Sequence, residues 1–288
     1  IIKAVAGVFD VFCKGQVLQA FAAGRFRNEK IRLLAGDKGR LELAQNDDKN
    51  FICEVLLRKN QIARPTVANV DTLLITLAVK KPNPDLKLVD QLICWCRKID
   101  IEPVVCINKS DYSYQDAALL AKQYKNSGIR VFITSKEDKA SIDNLRENLR
   151  QGITCFCGQS AVGKSSLMNQ LLGTQVFETG GLSKKTERGR NTTRHCELVA
   201  FDENKFLADT PGFSLLEMPL LSPHELTELY FEYASYADKC RFKGCAHINE
   251  PECAVKAAIE KGVLSRERHE RYKEIFIETT ERWKKRYD

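Results

Sequence analysis

One short stretch of this sequence has the residue types and spacing of a phosphate-binding loop. Residues 157–167 read CGQSAVGKSSL, in which Gly158 and Gly163 enclose four residues and are followed by Lys164 and Ser165. Glycines let the backbone wrap around phosphate oxygens, so that main-chain N–H groups and a helix N-terminus face the anion. Lys164 would reach the β- and γ-phosphates and Ser165 would ligate Mg²⁺. An apolar strand precedes the loop and a helix follows it, which disfavours a glycine-rich turn without a ligand.

A second motif, NKSD at residues 108–111, follows the apolar sequence PVVCI. Ligand loops of an open α/β sheet lie at the carboxyl ends of its strands. Asp111 can accept two hydrogen bonds from the N1–H and the exocyclic amine of guanine, and adenine offers the opposite pattern. Beside a phosphate loop, this motif favours GTP over ATP. Ser135 and Lys136 end another strand and match the segment that closes over guanine, although an ordinary β-to-α turn is the alternative.

The predicted nucleotide contacts come from three segments of the chain. They are Asn108, Lys109, Ser110, Asp111, Ser135, Lys136, Gly158, Gln159, Ser160, Ala161, Val162, Gly163, Lys164, Ser165 and Ser166.

Further downstream, two segments have the features of nucleotide-sensing switches. In the DTPG turn, Asp209 would hold Mg²⁺ through water and the N–H of Gly212 would sense the γ-phosphate. In the Thr-rich segment 188–195, we expect Thr193 to close on Mg²⁺, with Thr192 as the alternative. Such loops commonly change order when the nucleotide is hydrolysed.

The residue after the DTPG glycine cannot orient a water molecule. Many GTPases have a Gln there, whereas this chain has Phe213. We therefore expect slow intrinsic hydrolysis and a partner that supplies or repositions the missing group. His195 and His224 are candidates for that group, but ordinary surface histidines are the commoner case.

The elements that must position these residues follow an α/β pattern. The sequence alternates between apolar strands and expected helices. The strands are VDTLLITLAV, PVVCIN, IRVFIT and ITCFC, and the helices are expected near residues 86–99, 113–126, 141–149 and 163–172. A strand pair, CELVAF and KFLAD, comes next. This pattern predicts βαβ units on a largely parallel sheet, and we place this P-loop domain at residues 67–218.

Residues 1–66 predict a different fold, a small β-barrel of the OB type. Short alternating stretches at 7–12, 16–22, 30–34 and 51–57 are separated by Gly, Asn and Asp, which suits about five antiparallel strands. Basic side chains cluster after Gly24. They form either a solvated face or a nucleic-acid-binding rim, and they are Arg25, Arg27, Lys30 and Arg32.

The remaining residues, 219–288, predict a helical domain with a metal cluster. Cys240, Cys245, His247 and Cys253 supply three thiols and an imidazole within 14 residues, and Cys₃His is a known tetrahedral Zn²⁺ set of the closed, structural kind. Free buried thiols are the alternative, because the spacing is not the common C-x₂-C. Basic residues of the last helix predict either a salt-bridged face or an rRNA contact. They are Arg266, Arg268, Arg271, Lys273, Arg282, Lys284, Lys285 and Arg286.

The composition of the chain limits where it acts. Its 288 residues carry a formal charge of +7, a mild basic excess that is compatible with a nucleic-acid partner. No apolar run approaches the roughly 20 residues that span a bilayer, so we expect no membrane partner and a cytoplasmic location. Because the sequence begins at Ile1 rather than Met, a preceding segment is left open.

The order of the nucleotide motifs is unusual. In a conventional GTPase the phosphate loop comes first, followed by the two switches, the NKxD motif and the serine segment that closes over guanine. Here NKSD and the serine segment TSK (134–136) precede the phosphate loop, and the DTPG turn comes last. The cycle is the same but is cut after the second switch, as in a circular permutation. The second switch therefore leads within about ten residues into the C-terminal domain.

With this order, the chain resembles the RsgA family of circularly permuted GTPases, which act in small ribosomal subunit biogenesis. The resemblance is carried by GRFR (24–27), RKNQIARPTVANVD (58–71), NKSD, GQSAVGKSSL, RGRNTTR, DTPGF and the Cys/His cluster. It implies a barrel, a permuted GTPase domain and a zinc-binding helical domain, with the small subunit and its rRNA as partners that stimulate hydrolysis. Asn191 and Arg194 depart from the usual switch text GRHTTT, which leaves the Mg²⁺ threonine open. Lys38-Gly39 follows the barrel's GD where an apolar residue is usual.

We expect a monomer that binds GTP and GDP, with Mg²⁺ accompanying GTP and one structural Zn²⁺. Two other functions remain open on the sequence. Phe213 favours a guanine-nucleotide-sensing RNA chaperone in which hydrolysis is incidental. A P-loop ATPase or kinase acting on a small molecule is disfavoured by NKSD.

Overall fold

The structure is a computed structural model that describes residues 1–44, 49–63, 66–174, 196–208 and 220–287. Its strands are β1 (Lys3–Val5), β2 (Val8–Cys13), β3 (Gln16–Ala22), β4 (Gly39–Glu42), β5 (Asn50–Val55), β6 (Gln61–Ala63), β7 (Thr66–Ala68), β8 (Val70–Ala78), β9 (Glu102–Asn108), β10 (Arg130–Ile133), β11 (Gly152–Cys157), β12 (Leu198–Asp202) and β13 (Lys205–Ala208). Its α-helices are α1 (Arg25–Asn28), α2 (Leu86–Lys98), α3 (Tyr114–Lys122), α4 (Lys139–Asn148), α5 (Lys164–Leu172), α6 (Pro223–Glu228), α7 (Phe231–Ala237), α8 (Ala254–Glu260) and α9 (Arg266–Lys284). Within these ranges, no helix has the length and apolar character that crossing a bilayer requires.

The first five strands form one sheet in the order β1-β2-β3-β5-β4, with β3 and β5 parallel and the other neighbours antiparallel. Alternate side chains point inward, and Phe9, Ala20 and Ile52 form the buried interior. Val17 and Phe51 point outward and are exposed. This is the arrangement of a five-stranded OB-fold, so the fold predicted for the N-terminal residues is confirmed.

The strand predicted at residues 30–34 is wrong. The chain instead forms the short helix α1, a loop and then β4. Leu33 and Leu34 are both buried, which the two-residue alternation of a half-buried strand does not allow. The N–H of Leu34 donates to Oδ2 of Asp37 at 2.8 Å, so a side chain takes the place of a strand partner.

Residues 58–63 and 66–71 of the conspicuous motif in this region hold the barrel against the central sheet. Nδ2 of Asn69 donates to the carbonyl of Gly36 in the barrel at 2.9 Å. Asn60 bonds to both the N–H and the carbonyl of Val70, each at 2.9 Å. Oδ2 of Asp71 accepts a backbone N–H of β11 at 2.7 Å. These contacts lie where β8 and β11 begin, so the barrel sits away from the carboxyl ends of those strands.

The central sheet has the strand order β10-β9-β8-β11-β13-β12 and is parallel except for β12. Helices α2 and α3 pack into one apolar cluster and α4 and α5 into another, so the sheet is covered by helices as in other parallel α/β folds. The predicted α/β architecture is confirmed. The carboxyl ends of β9, β10 and β11 lie at one edge, and each is followed by one of the predicted nucleotide motifs.

Helices α6 to α9 form a C-terminal unit around an apolar cluster that includes Cys245 and Cys253. Its first helix begins with a capping box, in which Ser222 and Glu225 each accept a hydrogen bond from the other's backbone N–H. The predicted helical unit is confirmed.

Buried charges fix the C-terminal unit on α2. Arg268 of α9 pairs with Asp90 of α2, and its Nε lies 2.6 Å from Oε1 of Glu232. Nε of Arg271 lies 2.6 Å from the second carboxylate oxygen of Asp90. The side chains of Asp90 and Arg268 are only 0% and 3% exposed, and removing one partner of such a pair typically costs about 3–5 kcal/mol. The network therefore fixes how α9 lies on α2.

This network also divides the basic residues of the last helix. Arg268 and Arg271 serve buried ion pairs rather than a solvent face. Lys273 pairs with Glu270 at 2.5 Å on the surface. The rRNA contact stays a prediction for the exposed residues of the helix, such as Arg266 and Lys284.

Acidification is expected to destabilise the C-terminal unit through His269. Burial, followed by the nearby ammonium of Lys273, lowers the pKa of His269 to about 4. Since the folded pKa lies below the unfolded value of about 6.5, this stabilisation is present above pH 6.5 and is lost as the pH falls towards 4. Between pH 7 and pH 5 the loss in free energy of unfolding should be about 2 kcal/mol, measured by denaturant titration.

The variant His269→Gln isolates this contribution, because glutamine is polar but does not titrate. His247, one of the predicted metal ligands, is present in both proteins, so any contribution that it makes cancels. We expect the variant to show a weaker loss of stability between pH 7 and pH 5. An identical pH dependence in the two proteins would show that His269 is not the titrating group.

Candidate nucleotide site and metal centre

The loop between β11 and α5 fits tightly against its neighbours at two glycines. Gly158 has φ +128° and Gly163 has φ +97°. A Cβ on Gly158 would lie 1.9 Å from the carbonyl oxygen of Thr76, and a Cβ on Gly163 would lie 2.5 Å from Nδ2 of Asn108. The oxygen of Thr76 belongs to the backbone, and the Asn108 side chain is held by hydrogen bonds to Val162 and Thr134, so neither neighbour can move aside and both positions require glycine. The loop is thus packed against β8 and against the NKSD segment.

The first turn of α5 offers its backbone N–H groups to an anion. Its N-cap, Gly163, has no side chain to satisfy them, which is the usual setting for phosphate at a helix N-terminus. Nζ of Lys164 donates to the carbonyls of Gly158 at 2.8 Å and Gln159 at 2.6 Å. Burial lowers the pKa of Lys164, so a bound phosphate would stabilise its charged form. Ser165 is half-buried in the same turn.

Asn108 connects the NKSD segment to both neighbouring loops. Its Nδ2 donates to the carbonyl of Val162 in the phosphate loop at 3.0 Å, and its Oδ1 accepts the hydroxyl of Thr134 at 3.1 Å. Lys109 lies in the left-handed region at φ +61°, and its Nζ donates to the carbonyls of Ala161 at 2.7 Å and Lys81 at 2.6 Å. These bonds give the two loops one fixed relative position.

The carboxylate of Asp111 lies beside these two loops. The hydroxyl of Ser135 donates to Oδ1 of Asp111 at 2.7 Å, and the N–H of Glu137 donates to that same hydroxyl oxygen at 3.1 Å. Ser135 is buried and Asp111 is exposed. The hydroxyl therefore anchors one carboxylate oxygen of a group that is still exposed and can accept further hydrogen bonds.

The other predicted contacts lie around this core. Ser110 lies in a 3₁₀ turn at Ser110–Tyr112, and Lys136 is exposed, with its carbonyl accepting Nε2 of Gln170 at 3.1 Å. In the phosphate loop, Ser160 and Ala161 are exposed, while Ser166 is half-buried on α5. The structure thus brings together the predicted residues of three separate segments at one edge of the sheet.

The sequence did not identify the segment that follows β8 as part of this site. The carbonyl of Lys81 accepts a hydrogen bond from Lys109, and the N–H of Asp85 donates to Oε1 of Gln159 at 3.1 Å. This segment could have been identified from its position directly after a central strand, because the carboxyl ends of parallel strands meet at the edge of the sheet where ligands bind.

Several predicted residues lie outside the described residues. They are Thr192, Thr193, His195, Asp209, Gly212 and Phe213. His224 is described, lies exposed on α6 and sits 3.6 Å from a carboxylate oxygen of Glu228 one turn later. That setting favours an ordinary surface histidine.

The four predicted metal ligands come together in the C-terminal unit. The ligand atoms of Cys240, Cys245, His247 and Cys253 all lie within 4.8 Å of one another, and three of the four residues are buried. Sγ of Cys240 lies 3.9 Å from Sγ of Cys253 and 3.6 Å from Nδ1 of His247. A tetrahedral ion with metal–sulfur bonds of about 2.3 Å places its sulfurs about 3.8 Å apart. The cluster can therefore hold one tetrahedral metal ion.

The backbone around the cluster is held in place by a carboxylate. Glu250 accepts the N–H of Ala246 at 2.8 Å and the N–H of Ile248 at 2.9 Å, on either side of His247. Burial raises the pKa of the Cys245 thiol to about 12, so a bound cation is needed to keep it as the thiolate at neutral pH. The donor set and its surroundings fit a structural metal site.

Comparison with known proteins gives a consistent result over the whole chain. The family model described as RsgA N-terminal domain matches residues 1–52, and the one described as RsgA GTPase matches residues 55–219. The small ribosomal subunit biogenesis GTPase RsgA of Caldanaerobacter subterraneus subsp. tengcongensis is 37% identical over 288 residues, which cover 100% of this chain and 97% of that protein.

Two solved structures resemble the fold. The crystal structure of YloQ, described as a circularly permuted GTPase, matches with a TM-score of 0.80 at 31% identity, covering 98% of this chain and 94% of that one. YjeQ from Thermotoga maritima matches with a TM-score of 0.76 at 31% identity, covering 94% of this chain and 93% of that one. The resemblance noted in the sequence is confirmed: this chain is a circularly permuted GTPase and belongs to the RsgA GTPase family.

Proposed function

We propose that this protein binds the small ribosomal subunit in its GTP-bound form, assists a late step of its maturation, and leaves after hydrolysis that the subunit stimulates. This proposal rests mainly on the hydrogen bond between Ser135 and Asp111, which lies beside the phosphate loop and its Lys164. The arrangement places a group that can select guanine next to groups that can bind phosphate. The relative from Caldanaerobacter, which is named for small ribosomal subunit biogenesis, matches along its length and supports the choice of partner.

Catalysis in this proposal is positioning and electrostatics. Main-chain N–H groups of residues 158–166 cradle the phosphates, Lys164 neutralises charge on the β- and γ-phosphates, and Asp111 holds the guanine. Ser165 and Thr193 would hold Mg²⁺ directly and Asp209 through water, with Thr192 as the alternative threonine. Bound Mg²⁺ supplies positive charge to the phosphate oxygens. The N–H of Gly212 would contact the γ-phosphate.

Slow hydrolysis without a partner follows from Phe213. An aromatic ring cannot accept or donate the hydrogen bonds that orient an attacking water. We propose that the small subunit supplies or repositions the missing group, so that hydrolysis occurs on the ribosome and not before.

The three parts of the chain have separate roles in this proposal. We assign residues 1–66 to RNA binding, 67–218 to the GTPase, and 219–288 to a helical domain that follows the second switch. The protein would act as a monomer in the cytoplasm, where its ribosomal partner is assembled.

Nucleotide-dependent docking is tested by co-sedimentation with purified small subunits. With a non-hydrolysable GTP analogue the protein should pellet with the subunit, and with GDP it should remain largely in the supernatant. Equal binding in both states would contradict release by hydrolysis. Binding to large subunits alone would contradict the choice of partner.

We propose zinc as the ion of the Cys₃His cluster, since three thiolates and an imidazole in a closed tetrahedral set suit Zn²⁺. Elemental analysis should find one zinc per chain. Removing it with a chelator should unfold the C-terminal unit, because Cys245 and Cys253 belong to its core. Thermal unfolding followed by circular dichroism should show a lower Tm that zinc restores.

Cys94 provides the matched control for this test. It is a buried cysteine that packs in the same apolar cluster but is not one of the four ligands. Cys253→Ser should abolish zinc binding, whereas Cys94→Ser should leave the zinc content unchanged. Full zinc content in Cys253→Ser would refute the ligand assignment.

The second candidate function is a nucleotide-sensing RNA chaperone in which turnover is incidental, and Phe213 is the observation that favours it. Ser165→Ala separates the two when subunit maturation is followed in cells that depend on the variant. Loss of maturation together with turnover, in a variant that isothermal titration shows still binds GTP, supports the GTPase cycle. Normal maturation despite the loss of turnover supports the chaperone.

A further inference from the structure

A cavity of about 410 Å³ opens at the mouth of the barrel, between the β1–β2 turn and the segment that follows α1. Its floor is apolar and includes Phe9 and Phe26, which are 8% and 4% exposed. Arg27, Lys30 and Arg32 line it as well, and all three are exposed. None of its described lining residues is acidic. The cavity thus combines an apolar interior with a cationic rim.

The backbone at Lys30 adds an independent observation. Lys30 has φ +55°, directly after the end of α1. The N–H of Ile31 returns to the carbonyl of Phe26 at 2.9 Å and the N–H of Lys30 to that of Arg27 at 3.3 Å. Helix ends of this type are normally occupied by glycine, because any side chain in the left-handed region costs stability. The lysine therefore strains the helix end and gives the cavity rim a positive charge.

These features match the chemistry of a nucleotide in an unpaired strand of RNA. Its base is flat and largely apolar and fills an apolar cavity, while its phosphates need cations at the rim. The first 66 residues hold 12 Lys and Arg against 7 Asp and Glu, by count from the sequence, which favours a polyanion on this unit. An acidic peptide would satisfy the cations but has no ring to place against Phe26.

We infer that the mouth of the barrel is a binding site for one unpaired nucleotide of RNA, with its base in the cavity and its phosphates on Arg27, Lys30 and Arg32. This inference rests on the proposed function in one respect, that ribosomal RNA supplies the strand. It gives the barrel a defined contact in place of a general basic rim.

Lys30→Gly tests the charge at the rim without the risk of unfolding. Glycine relieves the left-handed backbone, so the variant should be at least as stable as the parent in thermal unfolding. Its affinity for a short unstructured RNA, measured by fluorescence anisotropy, should fall about tenfold, as expected for a lost charged contact. The slope of log affinity against log salt should decrease by about 0.7.

Lys14 is the matched control for that variant. It is exposed, has φ +50° and lies in the β2–β3 turn, about 20 Å from the cavity along β2. Lys14→Gly removes the same charge from the same barrel in the same backbone conformation. RNA affinity should change far less than in Lys30→Gly. Equal losses of RNA affinity in the two variants would show that the effect comes from net charge alone, and would overturn the proposed site.

Val5→Trp tests the cavity without a change of charge. Val5 lines the opening and is 39% exposed, so a larger ring should occupy the space of the base while the barrel remains folded. Binding of the RNA should weaken about tenfold, and the same strand carrying abasic sites should bind the parent equally weakly. Unchanged binding by Val5→Trp, or full binding of the abasic strand, would contradict base insertion.

Two further outcomes separate this inference from its alternatives. A poly-glutamate peptide that binds as tightly as the RNA, and loses affinity equally in Lys30→Gly, would assign the site to acidic peptides and overturn the inference. Basal GTP turnover should be the same in all three variants, since none lies in the nucleotide site. If the subunit stimulates turnover while the RNA tests fail, the proposed function stands and this site does not.

Discussion

Asp111→Asn is expected to weaken GTP and GDP binding by about 10²–10⁴-fold, because one hydrogen bond to guanine is replaced by two donors that face each other and the other no longer involves a charged group. The carboxylate is anchored by Ser135 at 2.7 Å and exposed, so it can accept the N1–H and the amine of guanine together. An asparagine would present its own NH₂ donor to one of these two guanine donors, and two donors cannot form a hydrogen bond. Xanthine has a carbonyl in place of that amine, so the variant should bind XDP more tightly than GDP. Isothermal titration with GDP and XDP measures both effects.

Asp116→Asn is the matched control for this prediction. It removes a carboxylate from the same region, one whose side chain is 44% exposed and pairs with Lys80 at 2.8 Å, and should leave both affinities unchanged. Asp111→Asn with unaltered GDP binding would mean that guanine is held elsewhere. Equal losses for GDP and XDP would point to misfolding rather than to a change of specificity.

Lys164→Ala is expected to lower kcat/KM for GTP by about 10²–10³-fold, the usual effect of removing one charge-stabilising donor from a transition state. Its ammonium is held over the loop by the carbonyls of Gly158 and Gln159, at 2.8 and 2.6 Å. Alanine keeps the helix but leaves the developing charge on the γ-phosphate without this cation. Single-turnover hydrolysis at saturating enzyme separates this loss from weaker binding.

Lys205→Ala controls for the removal of a partly buried lysine. Nζ of Lys205 also donates to two backbone carbonyls, those of Arg146 at 3.0 Å and Glu147 at 3.4 Å. It lies at the start of β13, away from the carboxyl edge of the sheet. Hydrolysis should be unchanged in this variant. A Lys164→Ala protein that turns over at the parental rate would exclude the assigned phosphate contact.

The chemistry of the site could be predicted from the sequence because its residues lie in short motifs. Gly158 and Gly163 specify a backbone path by themselves, and both require glycine in the structure. Parallel strands bring their carboxyl ends to one edge, which is why NKSD, the serine segment and the phosphate loop meet although more than 20 residues separate them. The four metal ligands were predictable for a similar reason, as they fall within one short segment.

Contacts between distant segments were not predictable in the same way. Asp90 and Arg268 are 178 residues apart, and the sequence pattern assigned Arg268 either to a salt-bridged solvent face or to an rRNA contact. Which charged residues pair across two helices depends on how those helices pack. Local periodicity in the sequence carries no information about that packing. The strand expected at residues 30–34 failed because Asp37 bonds to the backbone of Leu34, and such a side-chain bond overrides the alternating pattern.

The measurement to make first is GTP turnover by the purified protein, alone and with purified small ribosomal subunits, with ATP and large subunits as controls. Phe213 predicts slow turnover of the protein alone, and the proposed function predicts strong stimulation by the small subunit, for GTP only. Turnover that is fast without the subunit, or that the subunit leaves unchanged, would exclude activation of this GTPase by the small subunit.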